Sequence, residues 1–290
     1  MKTLREIIQN AEENKIAIGH FNISDCIGLK AIFKAAQELN LPIIIGVSEG
    51  EREFIGTKRA ADMIRSIREE FGYQIFLNAD HTHSFEKIKE AVDAGFDAVL
   101  FDGGKLPLEE NIKQAKQVVE YAKSVNPDIL VEGELGYIGG SSTILKEVPK
   151  DADIAPENLT KTEDAERFIK ETRIDLLAPA VGNIHGMFKN APNPHIDIQR
   201  ITALRQAAGV PIVLHGGSGI RDEEFTQAIN AGISIIHINT EIRVAWRKGM
   251  EQGLSEKPEE VVPYKIAPAA IEEIKKVVLN RLKLFSKMNV

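Results

Sequence analysis

The strongest constraint on the fold is a repeated alternation of short apolar segments with amphipathic segments along the chain. The apolar runs have strand length, and they are continuous rather than alternating with polar residues. Such runs are typical of parallel strands that are covered on both faces. The eight predicted strands are Ile16–Gly19, Pro42–Val47, Gln74–Leu77, Ala98–Phe101, Ile129–Val131, Leu176–Val181, Pro211–Leu214 and Ile233–Ile236.

The amphipathic segments predict helices between most of the strands. Two of them end in the same way, at Gly95 and Gly232, because glycine readily takes the left-handed conformation that terminates a helix. Eight alternations predict an α/β fold, a closed (β/α)8 TIM barrel. An open doubly wound sheet is the alternative, but no G-x-G-x-x-G motif follows the first strand. The predicted helices are Gly28–Leu39, Lys58–Phe71, Ser84–Ala94, Leu108–Val125, Thr162–Thr172, Ile198–Ala208 and Asp222–Asn230.

The length of 290 residues predicts a single domain over residues 1–290, since such a barrel takes about 250 residues. A short amphipathic helix is predicted at the N-terminus. An extended loop follows the fifth strand, from Leu135 to about Leu159, and Gly139 and Gly140 at its base favour a mobile lid over a disordered excursion. A last helix, Ala269–Lys287, is predicted either to cross the barrel or to contact another subunit.

Composition excludes several classes of function. Lys and Arg total 36 against 43 Asp and Glu, and the net charge of −7 disfavours nucleic-acid binding. The single cysteine, Cys26, excludes an intramolecular disulfide and predicts a reducing compartment. Because the N-terminus lacks a signal peptide and no apolar run approaches the roughly 20 residues of a membrane span, we expect a cytoplasmic protein without a membrane partner.

Three of the seven histidines follow predicted strands at one mouth of such a barrel. His81 follows the third strand, His185 the sixth and His215 the seventh. Alone, each histidine favours a hydrogen-bonding role in a loop. Together they predict a catalytic metal site, because neutral imidazoles with an open coordination position are typical of catalytic zinc. His83 is interpreted as exposed scaffold.

Glycine-rich segments surround two of these histidines. The glycines around His185 and His215 allow backbone amides to approach an anion closely, while Lys189 and Ser218 offer a charge and a hydroxyl. A phosphate pocket is therefore predicted here. The alternative is that these glycines only form tight turns between strands and helices.

A set of ordered motifs covers nearly the whole chain. They are Gly19-His-Phe-Asn22, Val47-Ser-Glu-Gly50, Asp80-His81, Ser84-Phe-Glu-Lys87, Leu106-Pro-Leu-Glu-Glu-Asn111, Val131-Glu-Gly-Glu-Leu-Gly136, Gly182-Asn-Ile-His-Gly186, Leu214-His-Gly-Gly-Ser-Gly-Ile220 and Asn239-Thr-Glu241. In this order the chain resembles the class II, metal-dependent ketose-bisphosphate aldolases, which include the fructose- and tagatose-bisphosphate aldolases.

The resemblance implies the same barrel and a role for each matching residue. It implies Zn²⁺ or another divalent transition metal on His81, His185 and His215, with Glu134 close to the metal as an alternative ligand. It also implies that Asp80 is the catalytic carboxylate, which handles the proton of the C4 hydroxyl. The residues implied to bind phosphate or other parts of the substrate are Gly186, Lys189, Gly216, Ser218, Thr240, Asn239 and Ser48.

The implied function is that of a zinc-dependent lyase of glycolysis and gluconeogenesis. It would reversibly cleave fructose 1,6-bisphosphate into dihydroxyacetone phosphate and glyceraldehyde 3-phosphate through a metal-stabilised enediolate. The family also implies a homo-oligomer, either a dimer or a tetramer. The alternatives are cleavage of another phosphorylated ketose, such as a ketose 1-phosphate or tagatose 1,6-bisphosphate, and a non-catalytic barrel that binds phospho-sugars.

The chain departs from the family pattern at three places. Ser141-Ser142-Thr143 stands where the mobile loop usually carries the acid that exchanges the C3 proton, and Glu147 is a candidate replacement. His237 replaces an asparagine that contacts the donor. Val262–Lys265 replaces a segment whose arginine helps to hold the second phosphate, so Lys265 is the candidate cation there.

Overall fold

The fold is a closed barrel of eight parallel strands surrounded by helices, as predicted. It is seen in a computed structural model that describes residues 2–140, 142–147, 154–189 and 193–288. The strands are β1 (Ile18–Asn22), β2 (Ile43–Val47), β3 (Ile75–Thr82), β4 (Ala98–Phe101), β5 (Leu130–Leu135), β6 (Ile144–Leu145), β7 (Leu176–Pro179), β8 (Met187–Phe188), β9 (Ile212–Leu214) and β10 (Ile233–Ile238). The barrel order is β1-β2-β3-β4-β5-β7-β9-β10, and β10 pairs with β1 to close it.

The helices lie outside the barrel, and all seven that were predicted between strands are present. Gly95 has a φ of +86° and Gly232 a φ of +120°, so both take the helix-ending conformation expected of them. The helices are α1 (Leu4–Glu13), α2 (Cys26–Leu39), α3 (Glu49–Ile55), α4 (Thr57–Phe71), α5 (Phe85–Asp93), α6 (Leu108–Val125), α7 (Thr162–Thr172), α8 (Ile198–Ala208), α9 (Asp222–Ala231), α10 (Thr240–Glu256), α11 (Pro263–Ile266) and α12 (Pro268–Phe285).

Several strands extend further toward the mouth than their apolar runs indicate. β3 continues through Asn78, Asp80 and His81 to Thr82, and β5 continues through Glu134 to Leu135. In both strands the alternate polar side chains are buried, because every second residue of a barrel strand points inward. A layer of polar side chains therefore replaces the apolar filling that is usual in a barrel interior.

The extended loop after β5 is present as predicted, and part of it is anchored. β6, in this loop, pairs in parallel with β8, in the loop that follows β7. Ser141 and residues 148–153 lie outside the described residues, and the mobility of the loop stays a prediction. At the C-terminus, α12 packs against α2 and α10 on the outside of the barrel. Over the described residues, no helix is both long and apolar enough to cross a membrane.

Candidate active site

The three predicted histidines meet at the carboxyl-terminal mouth of the barrel. His81 lies on β3, while His185 and His215 lie in the loops that follow β7 and β9. One nitrogen of each lies within 4.8 Å of the other two, and His81 Nε2 is 3.1 Å from His215 Nδ1. His185 Nε2 is buried without a hydrogen bond among the described residues. Three converging imidazoles with such an atom fit a divalent metal.

Carboxylates orient two of these rings from behind. Asp102 Oδ2 lies 2.7 Å from His81 Nδ1, and Glu132 Oε1 lies 2.7 Å from His215 Nε2. Each ring therefore keeps its other nitrogen for the cluster. A carboxylate on the outer nitrogen of a metal-binding histidine fixes the ring and raises the basicity of the ligand. The three histidines and the carboxylates behind two of them therefore both fit a metal site.

The charges around His81 favour a protonated ring, and a metal would have to displace this proton. Burial lowers the pKa of His81, but the neighbouring Asp80 and Asp102 carboxylates outweigh it and hold that pKa well above its usual value. Burial raises the pKa of Asp102, yet its bond to His81 brings that pKa down to about 2. The pair is therefore charged in metal-free protein, and binding of a metal here would release a proton from His81.

Glu134 does not join the three histidines but lies on the other side of His81. Its Oε2 is 3.6 Å from His81 Nδ1, and together with Asp102 these residues form a second group of potential ligands. Burial and the nearby Asp102 charge raise the pKa of Glu134 well above its usual value. Its assignment as an alternative metal ligand stays a prediction.

The contact between Glu132 and His215 leads to a prediction about metal affinity. In Glu132→Gln the side chain keeps its size but loses the charge that polarises His215, and loss of such a partner typically weakens metal binding about 10- to 100-fold. Competition with a chromogenic chelator measures this affinity. Glu224→Gln is the matched control, because Glu224 contacts His195, 2.9 Å away and outside the cluster. Equal metal affinity in wild type and Glu132→Gln would contradict the prediction.

A cavity with two lobes opens beside the histidines. The larger lobe has a volume of about 580 Å³, within the usual range for small-molecule sites. The smaller lobe holds about 10 Å³, which is room for about one water molecule. The larger lobe is lined by Ser48, Glu49, Gly50, Asp80, His81, His83, Asp102, Lys105, Tyr137, Gly139, Gly140, Ser142, His185, Asn239 and Arg243.

Asp80 lies where the two lobes meet. It lines both lobes, together with Ser142, His185 and Asn239. The carboxylate is buried, and its Oδ2 accepts a 2.8 Å hydrogen bond from Asn22 Nδ2. Burial raises the pKa of Asp80, but the adjacent His81 and His237 rings lower it well below its usual value. An ionised carboxylate therefore faces both lobes.

The smaller lobe is lined by glycines and by the start of a helix. A Cβ on Gly216, whose φ is +63°, would lie 2.2 Å from the carbonyl oxygen of Ile184, so only glycine fits. Ser218 and Asn239 also line this lobe, and α10 begins here at Thr240. Backbone amides at a helix N-terminus favour an anion. Gly186 lines the lobe as well, whereas Lys189 is exposed and lines neither lobe.

The remaining candidates separate into those at the cavity and those away from it. Ser48 lines the larger lobe, as does the exposed His83. Glu147 is exposed and lines neither lobe. Lys265 also lines neither lobe, and its Nζ lies 3.2 Å from Glu260. The proposed substitutes for the loop acid and for the phosphate-binding arginine are thus outside both lobes.

One cation at the larger lobe was not found from the sequence. Arg243, on α10, donates a 2.8 Å hydrogen bond to Glu51 Oε1 and a 3.0 Å hydrogen bond to the carbonyl oxygen of Ser142. It thereby connects α10 with α3 and with the loop after β5. The sequence around Arg243 does not predict these contacts, because they depend on how α10, α3 and the loop after β5 pack together.

The chain is similar over nearly its whole length to one family of aldolases. The family model that matches residues 2–290 is described as fructose-bisphosphate aldolase class-II. A fructose-bisphosphate aldolase of Geobacillus stearothermophilus is 35% identical over 98% of this chain and 96% of its own length, and one of Staphylococcus aureus (strain Mu50) is 34% identical over 99% and 98%.

Solved structures are similar as well. The YdjI aldolase from Escherichia coli K12 has a TM-score of 0.81 at 26% identity, over 98% of this chain and 97% of its own. A fructose-bisphosphate aldolase from Campylobacter jejuni has a TM-score of 0.82 at 18% identity, over 97% and 93% of the two chains, and that likeness concerns the fold alone.

Proposed function

Because the chain belongs to the class II fructose-bisphosphate aldolase family and is a lyase, we propose that its substrate is fructose 1,6-bisphosphate. The reaction is reversible cleavage into dihydroxyacetone phosphate and glyceraldehyde 3-phosphate. The observation that carries this proposal is the position of Asp80, which faces both lobes of the cavity beside three converging histidines. A bond cleaved at this junction would leave one product in each lobe.

The family is metal-dependent, and we assign the metal to His81, His185 and His215. When bound, a divalent ion supplies an electron sink, because it polarises the substrate carbonyl. Zinc is the proposed ion, since the histidine donors and their carboxylate partners suit it.

The proposed role of Asp80 is to move one proton. In cleavage it accepts the proton of the C4 hydroxyl, the C4 oxygen forms the aldehyde carbonyl, and the C3–C4 bond breaks. The electron pair of that bond stays on the donor half as an enediolate, which becomes dihydroxyacetone phosphate when C3 takes a proton from solvent, and Asp80 then releases its own proton to solvent. In synthesis Asp80 returns its proton to the new hydroxyl. Asn22 supports this role because it holds one carboxylate oxygen and leaves the other for substrate.

The smaller lobe is the proposed site for the phosphate of the donor half. Gly186, Gly216 and Ser218 line it together with the N-terminus of α10. The lobe has room for about one water molecule, which is less than a phosphate group needs, and Ser142, in the loop after β5, is one of the residues that line it. We therefore expect the loop that carries Ser142 to move when substrate binds.

The larger lobe is the proposed site for the aldehyde half, and Arg243 is its proposed phosphate-binding cation. Lys105 also lines this lobe. A guanidinium binds phosphate through paired hydrogen bonds, whereas an ammonium acts as a point charge. Since Lys265 lines neither lobe, recognition of a second phosphate depends on these two residues, and a ketose 1-phosphate is the second candidate substrate.

Substrate preference tests this assignment. Wild-type protein is expected to cleave fructose 1,6-bisphosphate faster than fructose 1-phosphate, with dihydroxyacetone phosphate detected by a coupled assay. Arg243→Gln should reduce kcat/KM for the bisphosphate about 10- to 100-fold, since a hydrogen bond to a charged group contributes about 1.5–3 kcal/mol. Its kcat/KM for fructose 1-phosphate should change little.

Arg247→Gln is the matched control, because Arg247 lies one turn further along α10 and pairs with Glu251. If Arg243→Gln lowers kcat/KM equally for both ketoses, Arg243 does not recognise the second phosphate. Faster cleavage of fructose 1-phosphate by wild type would make the monophosphate the substrate. Binding of dihydroxyacetone phosphate without cleavage of any ketose, tagatose 1,6-bisphosphate included, would favour a non-catalytic phospho-sugar-binding barrel. The single domain, the dimeric or tetrameric state and the cytoplasmic location stay predictions.

A further inference from the structure

Two buried histidines lie beside the three-histidine cluster without belonging to it. His20 on β1 and His237 on β10 are register partners, and both are buried inside the barrel. Their rings stack with centroids 3.4 Å apart and planes within 1° of parallel. Apolar side chains usually fill a barrel interior, so a stacked pair of polar rings calls for a specific role.

The ring of His20 is fixed by residues on the neighbouring strands. Asn78 Nδ2 on β3 lies 3.1 Å from His20 Nε2. On β2, a Cβ added to Gly46 would lie 2.0 Å from His20 Cε1, so glycine provides the space that the ring occupies. His20 is therefore held at its edge and along its side, and one face is left for His237.

His237 is enclosed between two rings and contacts the proposed proton carrier. One face stacks on His20, and the other lies against His215, with centroids 3.8 Å apart. Its Nδ1 is 3.4 Å from Asp80 Oδ1. Asn22 donates to the other oxygen of the same carboxylate. Each oxygen of Asp80 therefore has a side-chain neighbour, and an enclosed ring supplies one of them.

The pair also has the donor types of a second metal site, with Asp80 as a third potential ligand. The lone pair of an imidazole nitrogen lies in the plane of its ring, and two separate parallel planes share no point at which one ion could meet both lone pairs. An ion bound at about 2 Å from both nitrogens would lie well outside each plane. The parallel stack therefore disfavours chelation of one ion by both rings and favours a role in packing and orientation.

We propose that His20 and His237 act as a positioning pair for Asp80. His237 directs the Asp80 oxygen that Asn22 leaves available, and His20 keeps the His237 ring in place by stacking. Restricting the carboxylate to one orientation brings it into line with the substrate hydroxyl, and misplacement by about 1 Å can cost about 100-fold in rate. The inference rests on the proposed function, in which Asp80 moves the C4 hydroxyl proton.

Double-mutant cycles test whether the pair acts through Asp80. His237→Ala is expected to lower kcat for fructose 1,6-bisphosphate about 10- to 100-fold while KM changes less than about threefold. In an Asp80→Asn background, the same substitution should change kcat less than about twofold. Zinc content and the visible spectrum of cobalt-substituted protein should match wild type, since the cluster itself is intact.

A second cycle tests the role of His20. In His237→Asn the amide nitrogen lies near the position of the imidazole Nδ1, so this variant should recover much of the kcat lost in His237→Ala. His20→Ala should lower kcat in wild type, because the His237 ring loses its support, but not in His237→Asn, which has no ring to support. Thermal unfolding of each variant checks that the barrel is folded, and His20→Phe keeps a stacking ring if His20→Ala fails to fold.

Different results overturn different parts of the proposal. If His237→Ala lowers kcat equally with and without Asp80, His237 acts on the substrate directly and the positioning role is wrong. If it changes the cobalt spectrum or the zinc content, His237 acts through His215 instead. Full activity in Asp80→Asn alone would reject the proposed function, whereas the other outcomes leave that function intact.

Discussion

Removal of the metal is expected to abolish cleavage of fructose 1,6-bisphosphate, with a fall in kcat of about 1,000-fold or more. A bound divalent ion contributes several kcal/mol of transition-state stabilisation, and each 1.36 kcal/mol corresponds to about tenfold in rate. The described residues place His81, His185 and His215 together with carboxylate partners behind two of the rings. Dialysis against a chelator followed by an assay of dihydroxyacetone phosphate release measures the effect, and added zinc should restore activity.

Histidine substitutions separate metal loss from other effects of chelation. His215→Ala should reduce both zinc content and kcat, whereas His83→Ala should leave zinc content and most activity unchanged. His83 is the matched control because it lines the same lobe but is exposed and outside the donor group. Undiminished cleavage in chelated protein whose zinc content is below about one tenth per chain would contradict the metal assignment.

Metal affinity should also decrease as the pH is lowered, and the direction of this effect follows from the protonation of His81. The neighbouring carboxylates hold the pKa of His81 in metal-free protein well above its usual value, so below that pKa a proton occupies the ring. Metal binding must release this proton. Acidification therefore favours the metal-free form, and alkaline conditions favour the metal-bound form.

The sequence predicted the barrel well because the evidence for it is local. Each of the eight barrel strands contains an apolar run, and those runs located all of them. The ends were predicted less well at the mouth, where β3 and β5 continue into Asp80 and Glu134. A buried carboxylate in a strand resembles the start of a polar loop when only the sequence is read.

The candidate site was predicted in part for the same physical reason. His81, His185 and His215 follow strand ends, and strand ends converge in any barrel. Glu132 has a signal in the sequence, because Glu132 and Glu134 are two residues apart and point to the same side of β5. The contact of Arg243 with Glu51 and Ser142 had no local signal, since it depends on the packing of α10 against α3 and the loop.

Asp80→Asn is expected to lower kcat for cleavage about 100- to 10,000-fold, the usual contribution of a positioned general base. The amide keeps the size of the side chain but cannot accept the proton of the C4 hydroxyl. Zinc content should change little, because Asp80 does not belong to the three-histidine group. Single-turnover kinetics with metal-analysed protein separates the chemical step from binding.

The contrast with Glu49→Gln makes this result specific. Glu49 lines the same lobe, but one of its oxygens accepts a hydrogen bond from the backbone N–H of His83, which a glutamine side chain can still satisfy. This variant should retain most of the activity, although it removes the same charge from the same cavity. If both variants lose activity equally, a general loss of negative charge explains the effect, and Asp80 has no special role. A large loss of activity confined to Asp80→Asn would require a proton acceptor at the junction of the lobes. Glu49→Gln controls for the lost charge, the asparagine side chain keeps the size, and the zinc content controls for the metal.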